Sequence, residues 1–299
     1  MRARRPACGG WVRRLVPGVL VAGLLMVVGC ATGATGESGV AGSAGVAGAT
    51  GIAGAEVGPS GGSRPVDVLM AGGKGPKAPA NSLDWAGYAV TGTSLTSAVG
   101  SWTQPTASCS GTKASQSAFW VGVDGYASTD PTVQQIGTDA DCTKGTKKVP
   151  GGASYYAWYE LYPDAIVTLD TVAHPVYAGD NLSATVTGSG STYTLTLTDF
   201  GRWTFSTVQV TPIAPMATSA EWIAEAPSSC KGTKCKAVAL TDFGSVTFSG
   251  VSADSLPVDP TSPSDHQITM TKNKKGTIVE ATPSSLSGGS GFTVTWVSP

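Results

Sequence analysis

The chain has 299 residues, with 19 Lys and Arg against 20 Asp and Glu and a formal net charge of −1. Charged residues are 13% of the total and glycine occupies 40 positions. These figures exclude a basic nucleic-acid binder and a heptad-built coiled coil. With 41% hydrophobic residues and eight Trp, they also exclude a disordered acidic chain.

The near-neutral total sums two unlike parts. Arg2, Arg4, Arg5, Arg13 and Arg14 precede an uncharged apolar run over residues 15–28. That is the layout of an export signal, residues 1–29, with an apolar run short for a membrane span. Val27-Val28-Gly29-Cys30 resembles a bacterial lipobox. It implies lipidation of Cys30 and an exported protein, extracellular or anchored at the cell surface. Cleavage near Ala31, giving a soluble product, is the alternative. Past residue 29, 14 basic residues face 20 acidic ones, a net charge of −6.

Glycine then falls at every third position from Gly33 to Gly54. The period is collagen-like. With no proline between the glycines, the run reads as a flexible Gly/Ala spacer. Residues 30–80 are expected to be a tether or a propeptide, and residues 81–299 an ordered domain.

Within that domain the signals are those of strands. Tyr193–Thr198 alternates with period two. Similar segments rich in Val, Thr, Trp and Tyr lie at 85–91, 97–103, 118–124, 132–137, 154–162, 182–187, 206–211, 219–225, 245–249, 267–271, 277–280 and 292–297. No stretch keeps a helical period of 3.6. The expected fold is all-β, a two-sheet antiparallel β-sandwich.

Export permits disulfides. Setting aside Cys8 and Cys30 leaves Cys109, Cys142, Cys230 and Cys235, which allow three pairings. Cys230 and Cys235 enclose a short KGTK turn. That favours a local bond and leaves Cys109 to pair with Cys142. A zinc site is the alternative, although no CxxC is present.

Familiar nucleophile motifs fail on context. Gly58-Pro-Ser60-Gly-Gly62 matches GxSxG but sits in the tether, with no strand before it. Ser110-Gly-Thr-Lys113 matches SxxK but lies in a Gly/Ser loop. His174 and His266 read as surface histidines. Neither a metal nor a cofactor motif occurs, so none is expected.

The unusual residues are acids and amides inside strands. Glu221, Ile223 and Glu225 share one strand face; so do Trp158, Glu160 and Tyr162, and Val133, Gln135 and Gly137. Such groups cost stability unless the face is wet or they have partners. An ordinary solvent-facing sheet would carry them; so would a concave sheet lining a substrate groove. A paired-carboxylate glycosidase using Glu221 and Glu225 is disfavoured, because four strand residues separate them by roughly 13 Å.

Taken together, Asp84-Trp-Ala-Gly-Tyr88, Trp102-Thr-Gln-Pro105, Phe119-Trp-Val-Gly-Val-Asp-Gly125, Val133–Asp139, Tyr155–Pro163, Ala220–Glu225 and Thr241-Asp-Phe-Gly244 resemble the glutamic peptidases (eqolisins, family G1 or A4), in the same order. The resemblance covers about residues 83–250 firmly and the C-terminal strands loosely. It implies two seven-stranded antiparallel sheets of the lectin-like jelly-roll kind and an acid-acting endopeptidase with polypeptide substrates. By motif position the catalytic pair is Gln135 and Glu225, with Trp120, Asp124, Trp158 and Glu160 in and around the cleft. The Cys230–Cys235 loop resembles a disulfide hairpin of fungal members. Departures are Ala226-Pro227 after the second Glu, Tyr156 in place of an Asp, and the Gly-rich tether.

An unperturbed Glu titrates near about 4.3, which suits acid action. Asp124 or Glu160 are candidates for tuning Glu225. The competing expectation is a non-catalytic glycan-binding module with Trp120 and Trp158 as platforms, which would have no need of Gln135 and Glu225 on facing strands. A monomer is expected, with no nucleic-acid partner.

Overall fold

The computed structural model describes residues 80–299, apart from 111–112, 232–233, 260–263, 274 and 289, all within the unit Glu56–Pro299. The export signal, Cys30, the glycine run, the GxSxG segment and the tether up to residue 79 lie outside the described residues. So do the side chains of residues 230–235.

The described residues form strands and no helix. In chain order these are β1 (Ala80–Ser82), β2 (Trp85–Thr91), β3 (Ser97–Thr103), β4 (Ala118–Val123), β5 (Val133–Cys142), β6 (Ala153–Tyr162), β7 (Val167–Thr168), β8 (Asn181–Ser189) and β9 (Thr192–Asp199). There follow β10 (Trp203–Val210), β11 (Ser219–Glu225), β12 (Ser228–Lys231), β13 (Lys234–Ala237), β14 (Ser245–Ala253), β15 (Leu256–Pro257), β16 (Asp265–Thr271), β17 (Val279–Pro283) and β18 (Gly291–Trp296). The long strands fall where alternation places them. The main difference is β5, which continues past residue 137 to Cys142. Asp139 and Asp141 look like turn residues in sequence, but each finds side-chain partners within the sheet. Pro227 has the effect its chemistry dictates, and β11 stops at Glu225.

Hydrogen bonding runs along the order β10-β9-β8-β3-β14-β18-β17-β16-β2-β11-β4-β5-β6-β7. The pairs on this path are antiparallel, and β1 adds in parallel beside β16. The sandwich is therefore continuous around one side: β17 pairs with β16 in one layer and β18 in the other. The paired strands β12 and β13 form a separate hairpin in which Cys230 and Cys235 stand directly opposite. A disulfide joins Cys109 to Cys142, one of the three possible pairings.

The two layers bury different amounts of themselves. In the layer with β3, β8 and β9, alternate residues such as Ala98, Trp102, Leu182, Val186, Leu195 and Leu197 point into the core. In the other layer β4, β5 and β11 are buried at every position. Their inner faces, with Phe119, Val121, Ile136, Ala220 and Trp222, meet the opposite layer. Their outer faces form a second cluster around Trp85, Trp120, Trp158, Ile223 and Ile268. The outer face of the second layer carries the site.

Gln134 alternates onto the inner face of β5, beside Ile136. It is fully buried, and neither of its amide atoms has a hydrogen-bond partner. An unsatisfied buried group costs about 1–3 kcal/mol. We therefore expect Gln134→Met to raise the thermal midpoint by about 2–4 °C per kcal/mol recovered. Calorimetry checks this, and a lowered midpoint counts against it.

Candidate active site

Strand register sets the outer face in three rows. One row reads Glu221, Gly122, Gln135 and Glu160 across β11, β4, β5 and β6. The next reads Ile223, Trp120, Gly137 and Trp158. The third reads Glu225, Ala118, Asp139 and Tyr156. Small residues beside large ones let this face pack. A Cβ on Gly137 would lie 2.6 Å from the Trp120 Cβ, and one on Gly122 would lie 2.9 Å from Trp120 Cζ3. Both positions must be bare for the Trp120 ring to lie along the sheet.

Trp120 spans the rows. Its Nε1 donates to Glu225 Oε2 at 2.7 Å, while its ring edge lies over Gly122 beside Gln135. Trp85 packs edge-on against it, with ring centroids 4.9 Å apart. Gln135 donates through Nε2 to Glu160 Oε2 at 2.6 Å. Its Oε1 has no partner. Glu160 thus holds Gln135, whereas tuning of Glu225 was the expectation.

Gln135 and Glu225 share the face but are not cross-strand neighbours. β4 lies between β11 and β5, so the strands do not face one another directly. Gln135 pairs with Gly122 and Glu225 with Ala118. That offset is about 13 Å along the strand. Trp120 fills the interval.

Asp124 stands at the end of β4 with a left-handed φ of 68°. It accepts bonds from the backbone N–H groups of Ala217 and Thr218, clamping the segment that leads into β11. Burial pushes its carboxyl up to about 6, the two backbone bonds pull it back, and Asp130 adds to the rise. Trp158 donates to Asp139 Oδ1 at 2.5 Å. Gln135, Glu160, Glu225, Glu221, Trp120, Trp158 and Asp124 all stand at 0% exposure in the 299-residue chain.

Sequence reasoning missed a second acid group on this face. Tyr156 OH lies 2.8 Å from Asp139 Oδ2 and 3.2 Å from Asp141 Oδ2. Gln116 also donates to Asp141 Oδ2, so each carboxyl oxygen has a donor, and it is the repulsion between two neighbouring buried carboxylates that favours a proton on the pair. Burial, then the Asp141 charge, raises the Asp139 carboxyl well above the usual range. Burial lifts Asp141 to about 6 against bonds from Gln116 and Ser117. Alternation carried on from Gln135 through Gly137 would have found both acids.

The histidines are not surface residues. His266 is half-buried, stacks on Tyr126 and bonds to Thr91 Oγ1 at 3.0 Å. His174 is half-buried against Trp203 and Phe205. Their ring partners come from segments distant in sequence, which alternation cannot reveal. Among the described residues no three His, Cys, Asp or Glu are grouped to hold a metal ion.

The fold and site define a class: an all-β sandwich with carboxyl and carboxamide groups gathered on one buried sheet face. The family follows from comparison. The model of the Peptidase A4 family matches residues 83–296. The chain belongs to this family of glutamic peptidases. Aspergillopepsin-2 of Aspergillus niger is 30% identical over 240 residues, 72% of this chain and 78% of that protein. Scytalido-glutamic peptidase, solved with a transition state analog inhibitor, shares the fold with a TM-score of 0.58 at 23% identity, over 72% of this chain and 98% of that one. SCP-B, an eqolisin solved with the tripeptide Ala-Ile-His, gives 0.53 at 22% identity over the same shares.

The raised carboxyls have a common consequence. Asp124, Asp139, Asp141 and Glu221 bind their protons more tightly folded than unfolded. The stability this gives is full below about pH 4, near the unfolded value. It is lost as pH rises through about 6, the value reached by Asp124 and Asp141. The thermal midpoint should fall between pH 4 and 7, and less steeply in Asp141→Asn. A midpoint that climbs over this interval contradicts the assignment.

Proposed function

We propose that this peptidase is an acid-acting endopeptidase that hydrolyses peptide bonds with Gln135 and Glu225. The observation that carries it is the mounting of the two groups. Glu160 holds Gln135 through one N–H, and Trp120 fixes the Glu225 carboxyl on the same sheet face.

Glu225, as a carboxylate, takes a proton from water as the water attacks the scissile carbonyl. It then returns that proton to the leaving amine. Gln135 does not titrate. Its second N–H is available to the developing oxyanion. Glu160 is a positioning residue that keeps the amide from rotating. Register adds a requirement: the scissile amide lies over Trp120, between the two groups.

A glycan-binding module is the weaker reading. It needs aromatic platforms open to a sugar, and Trp120 and Trp158 are closed to solvent with their indole nitrogens already bonded. The same closure means that a peptide can enter only once the face opens. Of the two roles expected for residues 30–80, we propose the removed propeptide. Export agrees with the Cys109–Cys142 disulfide, which needs an oxidising compartment. Anchoring through Cys30 is proposed for the precursor, before residues 30–80 are removed.

Glu225→Gln and Gln135→Ala should each lower kcat on acid-denatured casein by at least about 100-fold, the usual cost of an oxyanion donor or more. Circular dichroism should remain that of the wild type. Full activity in either folded variant would falsify the assignment. Mass spectrometry of the active protein should place its N-terminus near residue 80; an active form still beginning at Cys30 identifies a retained tether instead.

A further inference from the structure

Three polar groups on the outer face without a hydrogen bond of ordinary geometry are not used by the proposed chemistry: the Glu221 carboxyl, which has only the Ser219 hydroxyl close by, the Tyr126 hydroxyl and Trp85 Nε1. Two of them belong together. Tyr126 follows β4, donates its backbone N–H to Ser219 Oγ, and has its hydroxyl close enough to Glu221 that an ionised carboxyl there would raise it. Glu221 lies two residues beyond Ser219 on the same face of β11. Gly122 opposite Glu221 has no side chain, and the Trp120 ring edge lies over it, so Glu221 and Gln135 stand in one row on either side of that ring edge. Ala89, Val133, Ile223 and Ile268 make the surroundings apolar.

An ionised acid without a partner is too costly in such a place. Burial holds the Glu221 carboxyl well above its ordinary range; the Ser219 hydroxyl pulls it back, and the Asp124 and Asp130 charges raise it further. His266, two strands away in the same row, and Glu160 at its other end are the other titratable groups in line with it. A protonated carboxyl offers a donor and an acceptor side by side. A side-chain carboxamide, whose N–H and C=O point the same way, matches both. A trans backbone amide, whose N–H and C=O point apart, does not.

We propose that Glu221 and Tyr126 form a specificity subsite of the cleft that takes the carboxamide of a substrate Gln or Asn. Glu221 donates its O–H to the carboxamide oxygen and accepts an N–H in return, and the Tyr126 hydroxyl supplies a further bond. Glu221 is four residues from Glu225 on one strand, so the selected side chain lies within about four residues of the scissile bond. The inference rests on the cleft proposed above and deepens it.

The test separates binding from turnover. Glu225→Gln, prepared with the N-terminus that the wild-type protein has at acid pH, is titrated calorimetrically with octapeptides of Ala carrying one Gln, Leu or Lys at each position. The expected result is at least tenfold tighter binding for Gln than for Leu or Lys at one position. Adding Glu221→Leu should abolish that difference, whereas Glu221→Gln, which keeps the donor and acceptor, should retain it. Leu in place of an unpaired buried acid should not lower the thermal midpoint; if it does, Glu221→Met is the substitute. A purely structural Glu221 gives a stabilised Leu variant with unchanged peptide preference, and that outcome overturns the subsite. Absence of any Gln preference in the parent overturns it too. Cleavage of these peptides by Glu225→Gln overturns the dyad instead, and leaves the affinity comparison to stand or fall separately.

Discussion

The contact on which the site depends is the 2.7 Å bond from the Trp120 indole to Glu225. It joins β4 to β11 by side chains as well as by backbone, and it fixes a carboxyl among strands buried at every position. The bond is possible only because the indole lies along the sheet. That in turn needs bare positions at Gly122 and Gly137, on two different strands. Trp85, from β2, closes the far side of the ring. Three strands therefore constrain one aromatic, and the aromatic constrains the acid. The dense sequence around Phe119–Gly125 and Val133–Asp139 is explained by this requirement for coincident small and large residues, before any chemistry is considered.

The same layer shows how a chain with few charges uses them. Ion pairs among the described residues join Arg202 to Asp180 and Asp199, in the other layer. Asp124, Asp139 and Asp141 rest instead on N–H and O–H donors. Neutral donors satisfy a lone carboxylate, but they do not cancel its repulsion with a neighbouring one. Paired acids held this way favour a shared proton. The architecture is thus at rest in acid and strained near neutrality, independently of which residue carries the reaction.

How much of this was legible in sequence divides by physical cause. Period-two alternation places β2, β3, β9 and β11 closely, because in those strands one face differs in polarity from the other or sits in a short, sharply bounded run. It also places Gln135, Glu160, Glu221 and Glu225 on strand faces. It could not place them relative to one another, since that depends on pairing order and register between strands far apart in sequence. The offset between Gln135 and Glu225, and the insertion of β4 between their strands, are properties of topology. The Asp139–Asp141–Tyr156 group was hidden for another reason. Acidic residues look like a turn until a partner strand supplies Tyr156, Trp158 and Gln116.

Glu221 and Glu225 are near-equivalent in sequence: same residue, same strand, same face, with Trp-Ile-Ala between. Their surroundings separate them. Glu225 meets an indole donor, and Glu221 meets a glycine, an apolar wall and no more than the Ser219 hydroxyl. A fold selected for stability alone would place Leu or Ala at the second position, because an unsatisfied buried acid costs more than it contributes. Gln134 carries the same stability cost one residue from Gln135, but it points into the interlayer core. Unpaired polarity alone therefore does not mark a site. What distinguishes Glu221 is that Tyr126 and the Gln135 carbonyl, likewise unpaired, share its face. Groups left unsatisfied together, on the face that carries the reaction, are what a ligand would complete.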